Sequence, residues 1–330
     1  MRISPHASDI RSAFDLAEAF HLAQAVATLH ELNILDALAE RPATADALAQ
    51  RYRLDPTVVR GVLEYVAART NVVRKKGRAF TATRRYGTEA RFLLDLYVGA
   101  FRPNAMRLRD VLRNPRVGAT AIDRARHART FERVIGSRES PMVALIRSLE
   151  LRQVLDLGCG SGDLLVQMGK ADRRFTGWGM EMNPALCKVA RARVRAARLA
   201  RRIRVIEGDV RRIGTLPKTV RQRVTGVTAC HVANEMFWSG SSVAVTWLRG
   251  IRTTLPGRPV IVHDYYGRLG TSSPGESPHT LLHDYAQLIS GQGIPPPKLR
   301  DWRAIYTAAG YRLVHVIEDR ATTQFIHVII

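Results

Sequence analysis

The run Val154-Leu155-Asp156-Leu157-Gly158-Cys159-Gly160-Ser161-Gly162-Asp163 constrains this chain more than any other segment. A short apolar stretch leads into glycines at every second position, and Leu164-Leu165-Val166-Gln167-Met168 then opens a new element. The pattern is a strand that turns into a helix through bare backbone. Glycine lets the chain turn this tightly and leaves no Cβ between the main chain and a ligand. The helix start adds unpaired N–H groups and a partial positive charge, suited to a carboxylate or phosphate. No Gly-Lys-Ser/Thr follows, which argues against a phosphate-cradling P-loop. Asp156 lies inside the motif, two residues before the first glycine, where dinucleotide sites usually lack an acid.

Further strands are expected at regular intervals. Phe175–Met180 reads as the second, with Glu181 at its carboxyl end, and a helical run starts at Pro184. Ile203–Ile206 reads as the third, before Glu207-Gly208-Asp209; Thr225–Cys230 and Pro259–Asp264 read as the fourth and fifth. Tyr311–Ile317 and Thr322–Ile330 complete the sheet. The glycines and acids fall beyond the carboxyl ends of these strands, where open α/β sheets bind ligands.

This arrangement resembles the class I S-adenosylmethionine (SAM) methyltransferases. The resemblance implies a seven-stranded Rossmann-like α/β domain that binds SAM through Asp156, Gly158, Cys159, Gly160, Gly162, Glu181, Met182, Asp209, Val210 and Cys230. Glu181 would take the ribose hydroxyls and Asp209 would face the adenine amino group. A nicotinamide enzyme is the competing reading of the glycine motif.

The first third is organised differently. Leu22, Val26, Leu29, Ile34, Leu35 and Leu38 recur at near-helical spacing. Thr44–Tyr52 reads as a capped helix, Pro56 opens another that runs to about Thr70, and Val72–Thr83 reads as a hairpin with Lys76-Gly77 at its tip. Helix, turn, helix, hairpin is a winged-helix pattern. The helix from Pro56 carries mainly Val58, Val59, Val62, Leu63, Tyr65 and Val66, which suits packing more than base reading. The whole chain thereby resembles the winged-helix small-molecule methyltransferases, typified by plant and actinobacterial O-methyltransferases. In that family the N-terminal module dimerises the chain. The resemblance implies a homodimer with a winged-helix dimerisation domain at 1–100, a helical linker at 101–145 and a SAM-binding domain at 146–330. Phe92–Leu112 is expected to be helical, as is the region of Thr130–Val134.

Composition narrows the partners. Lys and Arg number 51 against 29 acids, a net charge of +22, which raises a nucleic-acid substrate. Its densest run, Lys188–Arg202, lies on a segment suited to a helix on the sheet, and such arginines are expected to cover a solvated face. No aromatic residues interleave with the basic ones as stacking platforms. The alternative of a nucleic-acid methyltransferase, or of a winged-helix regulator with a SAM fold, ranks below a small-molecule acceptor. Three widely spaced cysteines form no disulfide or metal pattern, no run approaches a membrane span, and no signal peptide is evident; a cytoplasmic enzyme of specialised metabolism is expected.

The acceptor region is harder to read. In the family a His after the fourth strand, in a Leu-His-Asp-Trp context, is the general base. Here the sequence is Cys230-His231-Val232-Ala233-Asn234-Glu235, with a His but no His-Asp pair. His231 is the candidate base, by its near-neutral pKa. Phe131, Asn234, Glu235, His279, His283 and Tyr285 are candidate substrate contacts. His279 and His283 stand at i and i+4 on an expected helix, and His231 with Glu235 repeats that spacing. Such sets can hold a divalent metal, and some relatives that methylate 2-oxo acids use iron, but no metal is the expectation. Thr271–Pro278 reads as a lid-like surface loop. The methylated atom, O, C, N or S, stays open.

Overall fold

The computed structural model describes residues 12–135, 140–271, 278–319 and 323–330; for Phe131 and His279 only the backbone is described, and 272–277 of the expected lid lie outside. The chain separates into two compact units, one ending at Arg102 and the other starting at Pro103.

The first unit holds α1 (Ala13–Glu31), α2 (Ile34–Glu40), β1 (Ala43–Thr44), α3 (Ala45–Tyr52), α4 (Pro56–Arg69), β2 (Val73–Lys76), β3 (Ala79–Ala82) and α5 (Thr88–Leu93). The caps are those the sequence suggests. Thr44 Oγ1 accepts from Ala47 N–H and Asp55 from Val58 N–H, while Pro56 takes the first turn of α4, where its missing donor costs nothing. Val59, Leu63 and Val66 of α4 are buried with Leu35, Leu38 and Phe80. Strand order is β1-β3-β2. The helix expected over Phe92–Leu112 is broken: α5 passes into a π-helical stretch, Leu94–Ala100, and the chain restarts at Arg102.

The second unit opens with short helices α6 (Arg102–Met106), α7 (Leu108–Arg113), α8 (Arg116–Ala121), α9 (Arg124–Ile135) and α10 (Pro141–Ser148). These were expected as a linker, yet from Pro103 on they pack within this unit: Asn104 Nδ2 donates to the carbonyls of Gly118 (2.8 Å) and Ile289 (3.1 Å). The sheet and its crossovers follow: β4 (Gln153–Leu157), α11 (Asp163–Ala171), β5 (Thr176–Glu181), α12 (Pro184–Ala196), β6 (Ile203–Glu207), α13 (Lys218–Arg223), β7 (Gly226–Cys230), α14 (Ser241–Thr254), β8 (Val260–Tyr265), α15 (Pro278–Ile289), α16 (Leu299–Ala308), β9 (Leu313–Asp319) and β10 (Gln324–Ile329). The seven strands are ordered β6-β5-β4-β7-β8-β10-β9. β4 to β8 are parallel; β10 runs antiparallel between β8 and β9. Winding therefore reverses between β4 and β7, and the crevice beyond those strand ends is the ligand position of such sheets.

Apolar residues alternate between the two faces. Trp178, Met180, Trp247, Trp302 and Phe325 fill one layer, and Leu165, Phe175, Ile203, Ile261 and Ile326 the other. Gly177 and Gly179 let α11 lie close on β5, since a Cβ on either would meet Leu165 within 3.0 Å. The arginine run is less solvated than its composition suggests. Arg202 donates to the carbonyls of Gly169, Asp172 and Phe175, Arg191 to that of Val205, and Arg193 to Ser161 and Asp163. A planar guanidinium serves several carbonyls at once, which explains arginine at these positions.

Candidate active site

The loop after β4 is fixed by its own backbone. Gly158, Gly160 and Gly162 have φ of 65°, 53° and 77°, the left-handed region that glycine enters without penalty. A Cβ on Gly158 would run into Val232 Cγ2 in the loop after β7, so the two banks of the crevice touch there. A Cβ on Gly160 would meet nothing within 4 Å; its backbone faces open space, as an approach to a ligand requires. The N–H groups of Gly158 and Cys159 are tied to the Met180 carbonyl of β5, at 2.8 and 3.2 Å.

Glu181, at the end of β5, is 7% exposed and accepts from Gly160 N–H (3.0 Å) and Asn183 N–H (2.8 Å). Burial raises its carboxyl above the usual range, although both N–H groups pull the other way. Each oxygen retains lone pairs for further donors. Asp156 is a buried strut: its carboxylate accepts from Thr228 Oγ1 at 2.7 Å across the β4–β7 pair, and burial pushes it up to about 7. Asp209 caps the short 3₁₀ helix Val210–Thr215 and is clasped by Arg211. Burial would raise it, but the Arg211 bonds outweigh that and its pKa is lowered. Val210 is buried with its carbonyl bonded by Trp247 Nε1, Met182 is 55% exposed, and Cys230 ends β7.

The opposite bank is built of side chains. His231 leaves β7 with φ 52°, and a 3₁₀ turn, Ala233–Phe237, begins two residues later. The helical spacing read for His231 and Glu235 is thus overturned, because a left-handed residue puts them on no common helix face. His231 packs against His263, ring centroids 4.8 Å apart. Burial, then His263, His283 and His127, hold its pKa well below the ordinary imidazole value. Burial takes His283 down to about 4 and His127 to about 3. His231 and His283 therefore converge, and His127 and His263 join them. Among the described residues no group of three or more His, Cys, Asp or Glu could hold a metal ion.

Beside the imidazoles, Glu235 accepts from Gln292 Nε2 (2.8 Å) and Arg124 (3.4 Å). Asn234 gives its main-chain N–H to Asp264, whose carboxyl burial pushes up to about 7. Tyr285 is 39% exposed on the side of α15 away from this cluster. The Phe131 and His279 side chains lie outside the described ones. Arg124, His127, His263 and Asp264 escaped sequence reasoning, whereas Gln287 and Gln292 lie on the helix 279–290 and the loop 291–297 that the sequence suggests as a frame for the substrate. The one local signal was Gly291-Gln-Gly293, a glycine pair bracketing a glutamine.

Residues 154–248 match the family described as a methyltransferase domain, and residues 14–91 match the O-methyltransferase dimerisation domain. These two matches mark the chain as a methyltransferase with an O-methyltransferase dimerisation domain. The same fold extends across solved relatives. The mitomycin 7-O-methyltransferase MmcR is 19% identical, with 96% of each chain covered and a TM-score of 0.71. A putative O-methyltransferase from Nostoc punctiforme PCC 73102 is 16% identical, with 96% and 97% covered and a TM-score of 0.74. NcsB1, an O-methyltransferase from neocarzinostatin biosynthesis in complex with SAM and 2-hydroxy-5-methyl naphthoic acid, is 17% identical, with 93% and 95% covered and a TM-score of 0.66. The glycine loop and Glu181 of this methyltransferase are compatible with SAM, since the loop offers open backbone at Gly160 and Glu181 keeps acceptor capacity beside it.

Proposed function

We propose that this methyltransferase moves the SAM methyl group to a hydroxyl oxygen of a small molecule in specialised metabolism, as a cytoplasmic homodimer, with His231 as the base. The observation that carries this reading is the convergence of His231 with three other imidazoles on the bank facing the glycine loop. SAM, when bound, supplies an electrophilic methyl on a sulfonium sulfur. Gly160 backbone and Glu181 would hold its amino-acid and ribose parts. His231 takes the proton that leaves the acceptor hydroxyl as the oxygen gains its methyl. A desolvated imidazole is a weak base, so it accepts that proton only in step with methylation, when the oxygen becomes strongly acidic. The lowered pKa values also keep the imidazoles uncharged, so they do not repel a sulfonium.

The acceptor class is supported by the O-methyltransferase dimerisation domain and by relatives named as the mitomycin 7-O-methyltransferase and an O-methyltransferase from neocarzinostatin biosynthesis. Self-association of the first unit is favoured by Phe14, Leu16 and Phe20 of α1, 68%, 58% and 50% exposed. Nucleic acid is disfavoured there: Arg60 pairs with Asp46 and Lys75 with Glu64, which takes basic groups away from phosphate contact. A cytoplasmic setting is supported by three free cysteines, with no helix long and apolar enough to cross a membrane among the described residues. The test is calorimetric titration of SAM into the wild type and Glu181→Ala. The variant should lose about 1.5–3 kcal/mol, the worth of a hydrogen bond to a charged group; unchanged affinity would remove Glu181 from the cofactor.

A further inference from the structure

Gln292 is 5% exposed, and its Nε2 donates to Glu235 Oε1 at 2.8 Å. That bond fixes which way the amide points, because the reversed amide would set two acceptor oxygens against each other. Its Oε1 therefore remains an acceptor, buried and without a hydrogen-bond partner. Asn234, 1% exposed, spends its main-chain N–H on Asp264, and its Oδ1 is likewise unpartnered. Gln287, 5% exposed, contacts His283 Nε2 through Nε2 at 3.1 Å and has a third unpartnered oxygen. The three are joined: Gln292 N–H donates to the Gln287 carbonyl, and Asn234 adjoins Glu235. Buried side-chain oxygens nearly always find donors, so three on one connected bank point to donors from a ligand.

The segment is also rigid. A Cβ on Gly293 would collide with the Phe237 and Trp238 backbone, and one on Gly291, φ 70°, would lie 3.0 Å from Ala119 Cβ. Gln292 is thus clamped between α8 and the turn after β7, which suits a preorganised contact. Glu235 beside it is paired with Arg124 at 3.4 Å, and the unpartnered acceptor oxygens disfavour an anionic substituent.

We propose that Gln292, Asn234 and Gln287 form a hydrogen-bonding subsite for the methyl acceptor, which selects a neutral compound carrying a second O–H or N–H group away from the methylated atom. This rests on the small-molecule methyl transfer proposed above. A site built around unpaired acceptors rejects an analogue that lacks the donor, since the buried oxygens then stay unpaired.

The experiment titrates the full chain, loaded with S-adenosylhomocysteine, with neutral bicyclic aromatics bearing two O–H or N–H donors and with their fully methylated counterparts. The donor-bearing set should bind at least roughly tenfold more tightly, and Gln292→Met should erase that preference. Equal binding of both sets, tighter binding of the methylated set, no binding of either, or an unchanged preference in Gln292→Met overturns the subsite. Weakened S-adenosylhomocysteine binding in Gln292→Met would also overturn it, by assigning Gln292 to the cofactor's ammonium. The S-adenosylhomocysteine titration of the wild type reads the underlying function separately. Donor preference without cofactor binding would sink the methyl transfer and leave the subsite standing.

Discussion

The two banks of the crevice are made in different ways. On the glycine-loop bank the main chain decides the geometry: three left-handed glycines, N–H groups bonded to Met180, and Glu181 held by two more N–H groups. On the bank after β7 side chains decide it. There imidazoles from α9, β8 and α15 meet His231, and buried amide oxygens go unpartnered. The first bank is nearly complete in itself and serves a ligand that does not vary. The second is satisfied only by the right guest, which is how one scaffold can keep a cofactor and change acceptors.

Substitutions can break this contrast. The largest effect is expected from His231→Ala, which should lower turnover by ~10²–10⁴-fold and leave SAM affinity within error. Full activity in that variant would move the proton elsewhere or remove the need for a base. Gly158→Ala meets both Val232 and a left-handed φ, and should lose roughly 2–4 kcal/mol of stability in urea denaturation. Gly160→Ala meets only the φ penalty and should lose about 1 kcal/mol, yet its methyl group enters the open approach and should weaken SAM binding. Equal stability losses at the two positions would contradict the distinct roles assigned to these glycines.

The smallest expected effect is one of pH. His283 titrates near 4 in the fold, below its unfolded value near 6.5, so its stabilising contribution is complete above 6.5 and is lost as pH falls towards 4. Asp156 and Asp264, raised from 3.8 to about 7, act with the opposite sign and weaken the fold as pH rises from 3.8 to about 7. Comparing His283→Gln with the wild type isolates the imidazole. The stability of the wild type relative to the variant should fall between pH 6.5 and 4, and a constant gap would show that His283 is not desolvated.

The glycine bank was legible in the sequence because its rules are local. A strand, alternate glycines and a helix start lie within ten residues, and Glu181 follows at the end of the next strand. The side-chain bank was not. His231 was found, but its left-handed φ broke the helical spacing that seemed to pair it with Glu235. Arg124 and Gln292 reach Glu235 from 111 and 57 residues away, and only the folded chain brings them there. The helix expected over Phe92–Leu112 failed for a similar reason, as α5 gives way to π-helical geometry that no local propensity announces.

The place of β10 has a consequence for the order in which these banks can be made. β9 reaches the sheet only through β10, which the ribosome delivers later. The segment between β8 and β9 carries α15 and Gln292, and it is anchored at its far end only when β10 slides between those strands. The strands β4 to β7 pair with one another, and of the later strands only β8 bonds to them. During synthesis the cofactor's cradle can therefore assemble first and the acceptor's wall last. Pulse-labelled exchange on stalled nascent chains should find β4–β7 amides protected while those of α15 still exchange.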